Sequence, residues 1–133
     1  MITRDEIFRV VRGCVSKSLE LDEEEVSLDS RLISDLGADS LDFLDIVFSL
    51  EESFALKLRN AELDLLTRAE FAGVTNEEGY LPVETVSHFR QWLPALRHAA
   101  REDRISPRDI YSYITTETLV ILIEKKLEES AID

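Results

Sequence analysis

The chain has 133 residues, 44% of them hydrophobic and 32% charged, enough for one domain with a core of its own. Acids outnumber bases 28 to 15, a net charge of −13, which speaks against nucleic acid and anionic membrane and favours basic partner proteins. Four glycines and three prolines disfavour a turn-rich β-sandwich or barrel, and a single cysteine, Cys14, excludes an intrachain disulfide or a Cys-based zinc site.

From about Arg4 to Leu19 the spacing predicts an amphipathic helix. Thr3 and Glu6 stand at capping-box spacing, and Ile7, Val10, Val11, Cys14, Val15 and Leu19 recur at intervals of three and four. Cys14 lies on that stripe and reads as a buried structural thiol. Residues 20–39 read as an acidic loop anchored by Val26, Leu28, Leu32, Ile33 and Leu36, with Asp22 to Glu25 a solvated run. The charged N-terminus lacks a secretory core, and no apolar run is long enough to cross a bilayer, so a cytoplasmic location without membrane insertion is expected.

A second helix is expected from about Ser40 to Phe54, with Ser40 capping it or opening its first turn. At about 100° per residue its apolar side chains divide into two groups. Phe43, Ile46, Val47, Leu50 and Phe54 form a core face. Leu41, Leu44 and Phe48 form a second stripe, with Asp42, Asp45 and Glu52 within an arc of roughly 80° beside it. That is more apolar surface than a simple surface helix needs.

Asn60 is placed to cap a helix over about 61–71, and Gly73 to Pro82 reads as loop. Val83 to Leu93 fits another helix, with Pro94 ending it or starting the next turn and Ala95 to Arg101 continuing helical. Ser106-Pro107-Arg108-Asp109 supplies an N-cap, a proline at the first helical position and an acid at the third, so a short helix should run to about Tyr113. Thr115 or Thr116 then caps a last helix with Leu119, Val120, Leu122, Ile123 and Leu127 inward. No strand alternation, repeat or low-complexity segment is present.

The run Asp35-Leu36-Gly37-Ala38-Asp39-Ser40-Leu41-Asp42 is the informative motif. It resembles the attachment site for 4′-phosphopantetheine in the acyl carrier protein family. The resemblance implies an all-α fold, an acyl-carrier-like four-helix bundle. It also implies that Ser40 carries the prosthetic group, with Asp39 and Leu41 flanking it. The first helix, loop and second helix match the family's opening half in order and spacing, and Ile105 through the last helix resembles its third and fourth helices. Residues 59–104 then stand out as an insertion of 46 residues, an added helical hairpin between the second and third helices, within one domain spanning 1–133. The carrier part holds 20 acids and 9 bases; the insertion holds 8 and 6, with Arg90, Arg97, Arg101 and Arg104 late in it.

The chemistry suits the motif. A serine at a helix N-terminus sits beside free backbone N–H groups and the positive end of the dipole, where a phosphodiester is favoured. Asp39 adds like charge, so recognition by the modifying transferase is its expected role. No catalytic set surrounds Ser40. The histidines, His88 and His98, lie in the insertion, and the second glycine of a nucleophile elbow is missing, so neither an enzyme nor a metal site is expected.

By the same resemblance the second helix is the docking surface. Leu41, Leu44 and Phe48 would give apolar contact. Asp35, Asp39, Asp42, Asp45, Glu51 and Glu52 would give the field for basic patches on partners. Those partners would be a phosphopantetheinyl transferase and the acyl-transferring or synthase enzymes of a specialised fatty-acid, polyketide or lipid pathway. In such carriers the acyl chain folds back between helices, where Phe43, Phe48 and Phe54 are bulky. The insertion could cover that space or add a docking surface, with Phe89 and Trp92 as a small core of its own. Two other readings stay open: an aminoacyl or peptidyl carrier, whose motif more often pairs glycines before the serine, and a non-carrying acidic scaffold.

Overall fold

The computed structural model describes residues 2–58, 75, 77–99 and 104–132. Among them the helices are, in chain order, α1 (Arg4–Leu19), α2 (Ser40–Phe54), α3 (Val83–Phe89), α4 (Pro107–Ser112) and α5 (Thr116–Ile132). Single 3₁₀ turns lie at Glu23–Glu25 and Pro94–His98. The fold is all-α. Helices α1, α2, α4 and α5 form the four-helix frame, and one isolated antiparallel bridge joins Arg31 to Thr115.

Each long helix starts where a side chain takes up backbone N–H groups that the helix itself cannot satisfy. Thr3 Oγ1 accepts from the N–H of Glu6 at 3.2 Å. At α4, Ser106 Oγ accepts from Asp109 N at 3.1 Å while Asp109 Oδ2 accepts from Ser106 N at 3.2 Å, a reciprocal box around Pro107. Thr115 precedes α5 and does the capping, its Oγ1 accepting from Thr118 N at 3.2 Å. Helices α1 and α2 both end in a left-handed residue, Glu20 at φ 56° and Ala55 at φ 52°.

Helix α1 packs against both α2 and α5. Ile7, Val11 and Val15 face inward, as do Phe43, Ile46, Val47 and Leu50 of α2 and Leu119, Val120, Leu122 and Ile123 of α5. At the outer edge of the α1–α5 contact, Arg4 pairs with Glu117 and Glu124 at 3.3 and 3.2 Å. Those pairs are solvent-exposed and add little stability.

Three expectations change. Val10 is exposed and Cys14 only half-buried, because the inward line of α1 is the narrower one through Ile7, Val11 and Val15. Cys14 Sγ lies 3.8 Å from Ser53 Oγ on α2, at the rim of the packing. The helix expected over 83–93 stops at Phe89. Arg90 donates to the Ser87 carbonyl, a tightened last turn, and Leu93 turns the chain with ψ 75° ahead of Pro94, which has no N–H to continue a helix.

The third change concerns 59–104. The helix expected over 61–71 and Arg101 lie outside the described residues. In the described part, Leu81, Val86, Phe89, Trp92, Leu93 and Leu96 are buried in the same apolar cluster as the bundle. Phe89 and Trp92 are therefore not a separate small core. This part is tied to the frame: Leu81 N donates to the Ile105 carbonyl at 2.7 Å, and Lys125 of α5 donates to Gln91 and lies 4.9 Å from the Trp92 ring centroid.

Candidate functional site at the start of α2

The motif residues sit in a loop that is tied down before the helix begins. Leu32 N donates to the Ile114 carbonyl at 3.0 Å, and Ala38 N donates to the Leu32 carbonyl at 2.8 Å. Val26, Leu32 and Ala38 are buried, Ile33 and Leu36 half-buried, and Leu28 exposed. The acidic stretch is thus a folded connection with anchors at both ends. Gly37 lies between them at φ +75°, a left-handed conformation that costs other residues energy, although a Cβ there would meet nothing within 4 Å. The glycine is required by the backbone turn and not by crowding.

Helix α2 then starts with a second reciprocal box. Asp39 Oδ1 accepts from Asp42 N at 2.8 Å, and Asp42 Oδ2 accepts from Asp39 N at 3.1 Å. Asp39 is therefore the N-cap, and Ser40 is the first helical residue, where the dipole's positive end is strongest. Of the two places expected for Ser40, cap or first turn, it takes the first turn. The signal for the Asp39 cap was the Asp-x-x-Asp spacing, which sequence reading passed over. Ser40 is flanked by exposed Asp39 and by Leu41, whose side chain is 76% exposed. An anchored backbone with open flanks suits a long prosthetic arm that must leave the surface, so the residues present fit phosphopantetheine.

Along α2 the two apolar groups separate as the spacing predicts. Phe43, Ile46, Val47 and Leu50 are at most 1% exposed, and Phe54 is half-buried. Leu41, Leu44 and Phe48 are left at the surface, at 76%, 39% and 45%. An exposed apolar row on one helix, bordered by acids, is unusual for a surface that only has to meet water.

The bordering acids are not equivalent. Asp35 Oδ2 accepts from Arg31 N at 2.8 Å, inside the anchored loop. Asp39 and Asp42 cap one another's backbone. Asp45 Oδ2 accepts from Ser18 Oγ on α1 at 2.8 Å. Glu51 Oε2 accepts from Leu58 N at 2.9 Å, which satisfies a part-buried donor in the chain leaving α2. Glu52 is exposed, and its carboxylate bonds to no other described residue. Five of these six carboxylates therefore also hold local structure, which sequence spacing alone did not show.

Within residues 59–104, Arg90, Arg97 and Arg104 are exposed. His98 is exposed and accepts from Arg97 Nε at 3.2 Å. Among the described residues, no helix is long and apolar enough to cross a membrane.

Comparison with known proteins converges on the same stretch. The sequence profile of the phosphopantetheine attachment site matches residues 9–74, taking in most of α1, the anchored loop and all of α2. The acyl carrier protein of Thermotoga maritima is 42% identical over 67 residues, covering 50% of this chain and 83% of that protein. Those of Borrelia garinii and Petrotoga mobilis are 45% and 35% identical, over 72% and 84% of their own lengths. On this evidence the chain belongs to the acyl carrier protein family, whose members hold phosphopantetheine and work with a phosphopantetheinyl transferase and partner enzymes as carriers, not as enzymes.

Proposed function

We propose that Ser40 is the attachment point for 4′-phosphopantetheine and that the chain carries acyl groups as thioesters on the thiol of that arm. The observation that carries this is the position of Ser40: first residue of α2, behind the Gly37 turn, on a backbone held by the Leu32–Ile114 and Ala38–Leu32 bonds. A transferase meets a serine on an anchored backbone, and the positive end of α2 favours the phosphodiester that forms there. Leu41 and Asp39 flank the arm. Asp39 keeps its carboxylate in the cap, so its charge is held beside the serine for a basic enzyme to read. Catalysis is left to the partners.

In this reading Leu41, Leu44 and Phe48 are the contact surface, and Asp35, Asp42, Asp45, Glu51 and Glu52 steer basic patches on the transferase and on acyl-transferring or synthase enzymes toward it. The insertion, residues 59–104, marks service in a specialised fatty-acid, polyketide or lipid pathway. Its described arginines, Arg90, Arg97 and Arg104, are exposed. The Ala38-Asp39 pair before the serine, and the relatives' description as acyl carriers, favour acyl over aminoacyl cargo.

The test is direct. Unmodified protein incubated with coenzyme A and a phosphopantetheinyl transferase should gain the mass of one phosphopantetheine, and Ser40→Ala should gain none. A wild-type chain left unmodified by several transferases refutes the assignment. Full partner function in Ser40→Ala would point instead to a scaffold.

A further inference from the structure

Three threonines at the start of α5 are buried, and they divide unequally. Thr115 and Thr118 satisfy each other, each hydroxyl accepting from the other's backbone N–H at 3.2 and 3.1 Å. Thr116 is 0% exposed, and its Oγ1 has no hydrogen-bond partner among the described residues. A buried hydroxyl without a partner is costly, and valine would fill the same shape without that cost. Its place on the helix is also informative. Thr116, Val120 and Ile123 follow one another at helical spacing, all fully buried, so Thr116 heads the inward face of α5.

That end of α5 is joined to the loop that leads into Ser40. Thr116 N donates to the Ser30 carbonyl at 3.1 Å and Glu117 N to the Leu28 carbonyl at 2.9 Å. Leu32, one residue beyond the Arg31–Thr115 bridge, bonds both Ile114 and Ala38, and Ala38 is two residues before the serine. The orphan hydroxyl therefore lies on the inner wall of the bundle, at the end from which an arm on Ser40 departs.

We propose that Thr116 Oγ1 is the hydrogen-bond donor for a carbonyl or hydroxyl oxygen of the tethered chain when that chain withdraws into the bundle. The inference rests on Ser40 being the tether. Apolar cargo on a flexible arm gains by leaving water, and the inner faces of α2 and α5 both contribute to the buried apolar cluster below its origin. Any oxygen drawn in with it loses its water and needs a donor. Thr116 holds an unused one where such an oxygen would pass. Entry displaces packed side chains, so occupancy changes how well the cargo is protected from solvent.

The experiment uses the full-length chain as wild type, Thr116→Val and Thr116→Ser, each in three forms: bare arm, unsubstituted acyl, and 3-oxoacyl of equal length. Intact mass first establishes one arm per chain. A chain that takes none overturns the attachment reading and this inference with it. The readouts are alkylation of the bare thiol and hydroxylamine cleavage of each thioester. Thr116→Val should raise the rate for at least one form by about three- to tenfold, the range one net hydrogen bond spans, and Thr116→Ser should restore it. An effect on all three forms assigns the oxygen to the arm. One confined to both thioesters assigns it to their shared carbonyl, and one confined to the 3-oxo form assigns it to the cargo. Equal rates across the variants in every form overturn the proposal. So does an equal loss of thermal stability by Thr116→Val in modified and unmodified chains, since the hydroxyl would then serve the empty fold.

Discussion

Asp39 performs two tasks that substitution can separate. Its carboxylate caps α2 by accepting from Asp42 N, and it places a negative charge next to Ser40. Asp39→Ala removes both. The lost cap costs about 1 kcal/mol, within the usual range for an N-cap of this type. For a chain of 133 residues that lowers the unfolding midpoint by about 3–5 °C. Asp39→Asn keeps an oxygen that accepts from Asp42 N and removes the charge, so its stability should stay within about 0.5 kcal/mol of wild type. The reciprocal half of the box should persist in both, because the donor in it is the backbone N–H of residue 39. Thermal and urea unfolding measure the first effect, and kcat/KM for phosphopantetheinyl transfer measures the second. Asp39→Asn should be as stable as wild type yet modified more slowly. Equal destabilisation by Asn and Ala would refute the capping argument. Modification of Asp39→Asn at the wild-type rate would refute the role of its charge.

Three further outcomes follow from the contacts around the site. Gly37→Ala should cost about 1 kcal/mol through its left-handed backbone, with Gly37→Asn milder, as read by urea unfolding. Glu52→Lys should lower kcat/KM for modification and flatten its salt dependence without a change in stability, whereas Glu51→Lys should also lose about 1 kcal/mol because Leu58 N forfeits its acceptor. Phe89→Ala should cost about 3–5 kcal/mol in a single cooperative unfolding transition followed by circular dichroism, since Phe89 is buried in the one apolar cluster. A separate early transition would show that this part folds on its own.

The helices were legible because their signals are local. Capping residues at Thr3, Ser106 and Thr115 and apolar residues at intervals of three and four fix where α1, α4 and α5 begin and which way they face. The split of α2 into a buried and an exposed row was legible for the same reason, since both rows follow from one angle per residue. What the sequence hid depends on contacts across the chain. The bond from Leu58 to Glu51 spans seven positions and that from Ser18 to Asp45 spans twenty-seven, and no periodicity registers either. The burial of Leu81, Val86 and Phe89 against the bundle was hidden too, because an amphipathic segment shows that it has an inner face but not what covers it.

These cross-chain contacts bear on how a carrier's surface is built. A docking field made only of mobile surface acids would cost entropy each time a partner ordered them. Here Asp35 in the loop, Asp39 at the cap and Asp42, Asp45 and Glu51 on α2 are already held by backbone or hydroxyl donors, so on the proposed docking role their charges stand at fixed places before any partner arrives. The same bonds make charge reversal at these positions ambiguous, because stability and encounter would change together. Glu52 escapes that coupling. Ser18 offers a second way around it: Ser18→Ala frees the Asp45 carboxylate without altering any charge. A slower transfer by that variant, at unchanged salt dependence and unchanged stability, would show that the position of the charge matters as well as its presence.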